Sequence, residues 1–211
     1  IAWSPNSYNF AVTDSANEKI YFYEFDSSDE TWSTTWNSGS LTSTIGDTSW
    51  FGRMSTRLSK DGEYLVTGDH SPENTRIFKC DWTAQTVTLQ HTQTGNSGAA
   101  AIDYDGEYVI AGYNSANTKI LKRSGTTWTD VTTSEGFTNL PYIRYGAQFL
   151  GVPSQYLLTG EYNTPGQTAN QSHTFMYKWK GKKEVTLTFS NPTLTLTGQN
   201  VTISSAKLYK D

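Results

Sequence analysis

Apolar and polar residues along this chain fall into short β-like runs, and no stretch carries the 3.6-residue apolar stripe of an amphipathic helix. One phrase recurs. It reads Asn6-Ser7-Tyr8-Asn9-Phe10-Ala11-Val12-Thr13, then Asp61-Gly62-Glu63-Tyr64-Leu65-Val66-Thr67-Gly68. It returns as Asp105-Gly106-Glu107-Tyr108-Val109-Ile110-Ala111-Gly112 and as Pro153-Ser154-Gln155-Tyr156-Leu157-Leu158-Thr159-Gly160. The steps between the first residues of these phrases are 55, 44 and 48. A period of this size marks a repeat architecture, in which each unit needs its neighbours to bury its apolar surface.

Each repeat resolves into four strand-like runs. The first are Ile1–Trp3, Met54–Leu58, Ala99–Ile102 and Ala147–Leu150. The second are Phe10–Val12, Tyr64–Thr67, Tyr108–Ala111 and Tyr156–Thr159, apolar enough for strands buried on both faces. The third alternate: Lys19–Tyr23, Arg76–Lys79, Lys119–Lys122 and Thr174–Tyr177. The fourth are Thr31–Ser33, Thr86–Leu89, Thr127–Thr129 and Glu184–Leu187. Asp61-Gly62 and Asp105-Gly106 read as hairpin turns, as do Gly125 and Gly181. The fold class is all-β. The pattern predicts a β-propeller of four-stranded blades, about four of them visible, as a partial ring or an excerpt of a longer one. The repeats cover residues 1–189, as approximately 1–45, 46–91, 92–136 and 137–189; residues 190–211 read as a C-terminal β segment that begins a further blade or closes or docks the array.

Trp3-Ser4-Pro5-Asn6 followed by Phe10-Ala11-Val12, and Ser59-Lys60-Asp61-Gly62 followed by Glu63-Tyr64-Leu65-Val66-Thr67-Gly68, are similar to the serine–x–aspartate–glycine phrase and following strand of WD40-type propeller repeats. The resemblance covers roughly residues 1–189. It departs from the family in two respects: no Gly-His pair opens a repeat and no Trp-Asp pair closes a third strand. The polar network that those pairs build in WD40 blades is therefore expected to be absent or replaced.

Composition narrows the chemistry. The net charge is −4 with no basic cluster, which argues against a nucleic-acid partner held through phosphates. No apolar run reaches the roughly 20 residues that a membrane helix needs. Cys80 is the single cysteine, so the chain forms no internal disulfide, and beside Asp81 and Trp82 it reads as a packed thiol. His70, His91 and His173 fall in separate repeats without metal-ligand spacing, and no cofactor is expected. The acidic run Asp26-Ser27-Ser28-Asp29-Glu30 lacks the alternating ligands and pivot glycine of a calcium loop and reads as an exposed hairpin tip.

The loops offer more. In a WD40-like blade, the second-to-third loops and the loops between blades emerge on one face. That face would carry Trp50, Asp69, His70, Tyr113, Asn114, Tyr142, Glu161, Tyr162 and Asn163, an aromatic and polar mixture suited to binding. Trp50 and Tyr142 read equally as plugs between blades. Asn170-Gln171-Ser172 and Asn200-Val201-Thr202 fit the glycosylation pattern at Asn170 and Asn200. The first expectation is a non-enzymatic module that binds proteins or assembles with itself. The Thr-rich, Lys-poor strands lean toward an extracellular, appendage or virion setting rather than the cytoplasm. The alternative is a carbohydrate-binding propeller, with Trp50, Tyr142 or Tyr162 stacking on a sugar and Asn114 or Asn163 bonding its hydroxyls. A third expectation is an enzyme whose active residues lie outside this segment.

Overall fold

The structure, a computed structural model, describes residues 1–4, 9–41, 44, 51–52, 55–69, 74–95, 99–112, 118–134, 143–150, 156–162 and 172–178. All of them belong to a compact unit, Ile1–Gly181; a second unit comprises Lys182–Asp211. The C-terminal segment 190–211, the fourth-strand run Glu184–Leu187 and Gly181 lie outside the described residues.

The described elements form four antiparallel meanders in sequence order. Sheet 1 is β1 (Ala2–Trp3), β2 (Asn9–Asp14), β3 (Lys19–Asp26) and β4 (Thr31–Asn37). Sheet 2 is β5 (Ser55–Leu58), β6 (Tyr64–Gly68), β7 (Asn74–Asp81) and β8 (Thr86–Thr94). Sheet 3 is β9 (Ala99–Ile102), β10 (Tyr108–Gly112), β11 (Lys119–Ser124) and β12 (Thr127–Asp130). Sheet 4 shows β13 (Ile143–Leu150), β14 (Tyr156–Tyr162) and β15 (Ser172–Lys178). Several strands run further than their apolar runs predict. β4 extends to Asn37 and β8 to Thr94, because ladder hydrogen bonds continue past the apolar residues and across a bulge in each pair.

The repeat is visible in the turns. Ser4, Ser59 and Asp103 each follow a first strand and donate a backbone N–H to the carbonyl of Asn9, Tyr64 and Tyr108, at 2.8, 2.9 and 2.9 Å. Ser59 Oγ accepts the Tyr64 N–H at 3.0 Å and donates to Asp61 at 2.7 Å. Asp103 Oδ1 takes the same place in sheet 3, accepting from Glu107 and Tyr108. Gly62 and Gly106 close these turns at φ 73° and 69°, a region open to glycine without steric penalty. The turns also bind one sheet to the next. Ser4 Oγ donates to the Lys60 carbonyl, Lys60 N–H donates to the Tyr104 carbonyl, and Lys60 Nζ pairs with Asp105 at 2.8 Å.

First strands lie side by side, with β1 against β5, β5 against β9 and β9 against β13. The sheets stack face to face. Ala11, Ile20, Phe22 and Trp36 of sheet 1 bury Leu58, Leu65, Phe78 and Cys80 of sheet 2. Tyr64, Val66 and Ile77 of sheet 2 bury Ile102, Val109, Leu121 and Trp128 of sheet 3. Tyr108, Ile110 and Ile120 of sheet 3 bury Ala147 and Leu157 of sheet 4. β6 and β10 are therefore buried along their whole length, as expected of doubly buried second strands, whereas Phe10 and Val12 of β2 are half-buried and Tyr156 of β14 is exposed, against that expectation. Each fully buried Leu, Ile or Phe contributes about 1.5–3 kcal/mol. Among the described residues, no comparable contact joins sheet 4 to sheet 1.

Cys80 lies in the interface of sheets 1 and 2, 3% exposed, as the packed thiol that its setting suggested. Burial, with the Glu63 charge adding to it, pushes the thiol well above the ordinary cysteine range. We predict that Cys80 resists a disulfide reagent such as dithionitrobenzoate in the native protein and reacts fully once urea unfolds it. Rapid native labelling would contradict the packing of these two sheets.

Candidate interface on the first sheet

Of the nine residues expected on the binding face, Trp50, His70, Tyr113, Asn114, Tyr142 and Asn163 lie outside the described residues, as do Asn170 and Asn200. Glu161 and Tyr162 are the last two residues of β14. Asp69 is the one whose side chain is described, and it is buried, 0% exposed. Its carboxylate forms an ion pair with Arg76 and accepts the Gly52 N–H at 2.6 Å. Arg76 is itself 2% exposed, and the nearby Glu18 carboxylate helps hold it charged against the desolvation that lowers its pKa. Asp69 thus anchors β6, β7 and the segment entering sheet 2. It is a structural residue and not part of an exposed binding surface.

Burial also lowers the His91 pKa below the ordinary histidine range. Among the described residues, no group of His, Cys, Asp or Glu is set to hold a metal ion, and no helix is long and apolar enough to cross a membrane. The Asp26–Glu30 run is an exposed turn between β3 and β4. Asp26 accepts hydrogen bonds from Ser28, and Asp29 accepts them from Thr31.

A surface that the sequence reasoning missed lies on the outer side of sheet 1. Side chains alternate along a strand, so one face of β1–β4 takes Ala2, Ala11, Ile20 and Phe22 into the core while the other presents Trp3, Phe10, Tyr23, Phe25 and Trp32. Register brings these five together: Trp3 stands opposite Phe10, Phe10 opposite Tyr23, and Phe25 opposite Trp32. Phe10 stacks on Tyr23 at 4.4 Å and on Trp3 at 6.1 Å. Trp32 meets Trp3, Phe10 and Phe25 edge-on or tilted at 5.1, 5.0 and 4.8 Å. Trp3 is 50% and Trp32 42% exposed.

The face has equivalents deeper in the molecule. A step of 55 residues carries Trp3, Phe10, Tyr23, Phe25 and Trp32 onto Leu58, Leu65, Phe78, Cys80 and Val87 of sheet 2. Register carries them onto Ile102, Val109, Leu121, Arg123 and Trp128 of sheet 3. Leu58, Leu65, Phe78 and Cys80 are buried under sheet 1; Ile102, Val109, Leu121 and Trp128 are buried under sheet 2. Sheet 1 therefore exposes the face that the next two sheets cover. The sequence held the signal in that same step, which sets five aromatic positions in sheet 1 against four buried apolar positions and the partly buried Val87 in sheet 2.

Successive four-stranded meanders, stacked face to face with their first strands adjacent, define a β-propeller. The chain matches no protein-family model and no curated protein, so its place within the propellers rests on structure. It is similar to a Desulfotomaculum acetoxidans protein of unknown function, with 16% identity over 74% of this chain and 49% of that one, at a TM-score of 0.51. The β-propeller domain of Myceliophteria thermophila Cps50 (Swd1) gives 14% identity over 74% and 48%, at 0.45. TolB from Acinetobacter baumannii gives 14% identity over 84% and 40%, at 0.48. The chain spans less than half the length of each of these three.

Removing the Asp69 carboxylate takes the ion-pair partner from the buried Arg76 guanidinium. We predict that Asp69→Ala costs about 3–5 kcal/mol in urea unfolding. Replacing both partners, as Asp69→Ala with Arg76→Leu, should recover part of that loss. A single-variant loss below about 1 kcal/mol, the scale of exposed pairs, would place Asp69 at the surface instead.

Proposed function

We propose that this chain is a non-enzymatic β-propeller that acts as a protein-binding or assembly module, with the outer face of sheet 1 as its contact surface. One observation carries the reading: five contiguous aromatic side chains stand on a rigid sheet, with Trp3 and Trp32 about half exposed. Tryptophan, tyrosine and phenylalanine are the residues that protein interfaces concentrate. Exposed apolar patches of this kind mark contact sites, because leaving them in water is unfavourable. The sheet beneath is fixed by its own core, so the surface is organised before a partner arrives and little entropy is lost on binding. The external, appendage or virion setting rests on composition alone.

The test is co-purification from the source cells with tagged wild type and with Trp3→Ser/Trp32→Ser. The variant should keep the wild-type circular dichroism and lose no more than about 1–3 kcal/mol, the worth of a few exposed aromatic pairs. A protein recovered in near-stoichiometric amount with wild type should be absent with the variant, while tryptophan fluorescence stays unchanged across a glycan panel. Equal recovery with both proteins, or global unfolding of the variant, would overturn the proposal.

A further inference from the structure

The bulge in sheet 2 decides where one histidine points. Phe78 stands opposite Leu89, and the residue before it on β7, Ile77, stands opposite His91. An unbroken ladder would set Gln90 there. The extra residue turns His91 to the face that Ile77 occupies, and re-aiming a side chain is a common use of a bulge. That face belongs to the joint with sheet 3. Ile77 is buried there with Leu121 and Trp128, and β8 lies against β12. Leu89 packs on the other side, in the core shared with sheet 1.

The joint suits a neutral imidazole and not a charged one. His91 Nε2 is buried with no hydrogen-bond partner among the described residues. Protonation would make it a donor in need of an acceptor. Trp128, in the same joint, carries a buried indole N–H that is likewise without a partner among those residues, and an N–H offers no acceptor. The charged groups around β8 are engaged elsewhere. β8 has no charged residue of its own besides the histidine. On β7, Arg76 turns to the opposite face and pairs with Asp69, Lys79 pairs with Glu63 at 3.3 Å, and Asp81 accepts the Ala84 N–H. On sheet 3, Asp130 of β12 pairs with Lys119 at 2.8 Å and accepts from Thr132, while Arg123 lies over the Tyr64 ring. Burial therefore holds the His91 pKa below the ordinary range, against a hydrogen bond with Gln93 that raises it.

We propose that His91 is a pH-sensitive fastening between β8 and sheet 3. Neutral, the ring fills the joint. Protonated, it leaves the joint for water, and β8 loosens from β12 with it. Linkage sets the sign. A histidine whose pKa is lowered in the closed joint binds more protons once released, so acid favours release. The fastening is complete above the free value of about 6.5 and weakens as pH falls from there toward the lowered one.

Amide exchange of the full chain near neutral and near about pH 5, corrected for intrinsic rates, tests this in wild type, His91→Gln and His91→Leu. Neither variant titrates in that range. Leucine keeps the position apolar should glutamine disturb the packing, and circular dichroism checks both folds. In wild type, acidification should lower the protection of β8 relative to β6 by up to about 30-fold, the ceiling for an imidazole with a free pKa of about 6.5. Both variants should keep the ratio of β8 to β6 protection unchanged. Wild type that keeps its β8 protection in acid, or variants that lose as much as wild type does, would overturn the inference. Equal losses in β6 and β8 would overturn it too, because the whole sheet and not the fastened strand would then be opening.

Discussion

Phe22 and Trp36 of the first sheet lie over Leu65 and Phe78 of the second, with Trp82 meeting both edge-on at 5.2 and 5.8 Å. This contact expresses the constraint that governs the molecule. A four-stranded meander whose alternate residues are apolar on both sides cannot bury itself, and only a neighbouring sheet can cover each face. Every other arrangement in the structure follows from that need. First strands run side by side so that faces overlap, and the middle sheets become the most deeply buried.

Apolar faces set the stacking, but they are non-directional, and polar contacts fix the register. Ser4, Ser59 and Asp103 close equivalent turns, and Lys60 ties its own turn to those of sheets 1 and 3. At the other end of β6, the buried pair of Asp69 and Arg76 clamps β6 to β7 and takes up the Gly52 amide. Such a pair adds little net stability over an apolar substitute. It does make misalignment of the strands costly, since either charge alone would be buried without its partner. The Gly-His and Trp-Asp pairs of WD40 blades are missing from this chain, and this cluster supplies a buried polar network at one of its joints.

Much of the fold was legible in the sequence because the repeat is written in turn chemistry. Asp61-Gly62 and Asp105-Gly106 mark turns whose φ only glycine takes easily, and the apolar runs after them could only be buried strands. The site was far less legible. Asp69 reads as a loop carboxylate until Arg76, seven positions on, is seen inside the same sheet. The clue was Arg76 in the run Thr75–Phe78, which is otherwise suited to burial and so requires a nearby counterion. Trp3 and Trp32 read as ordinary strand residues, because exposure depends on whether another sheet lies above them. A strand's own residues do not record that.

Amide hydrogen exchange, resolved strand by strand, tests most directly the claim that face-to-face stacking between sheets holds the molecule together. β6 and β10 are covered on both faces, so their amides should exchange only through global unfolding. β2 and β14 each belong to a sheet that, among the described residues, has a neighbouring sheet on one face only, and they should exchange faster through local opening. Uniform protection across all four second strands, or slowest exchange in β2 or β14, would contradict the account.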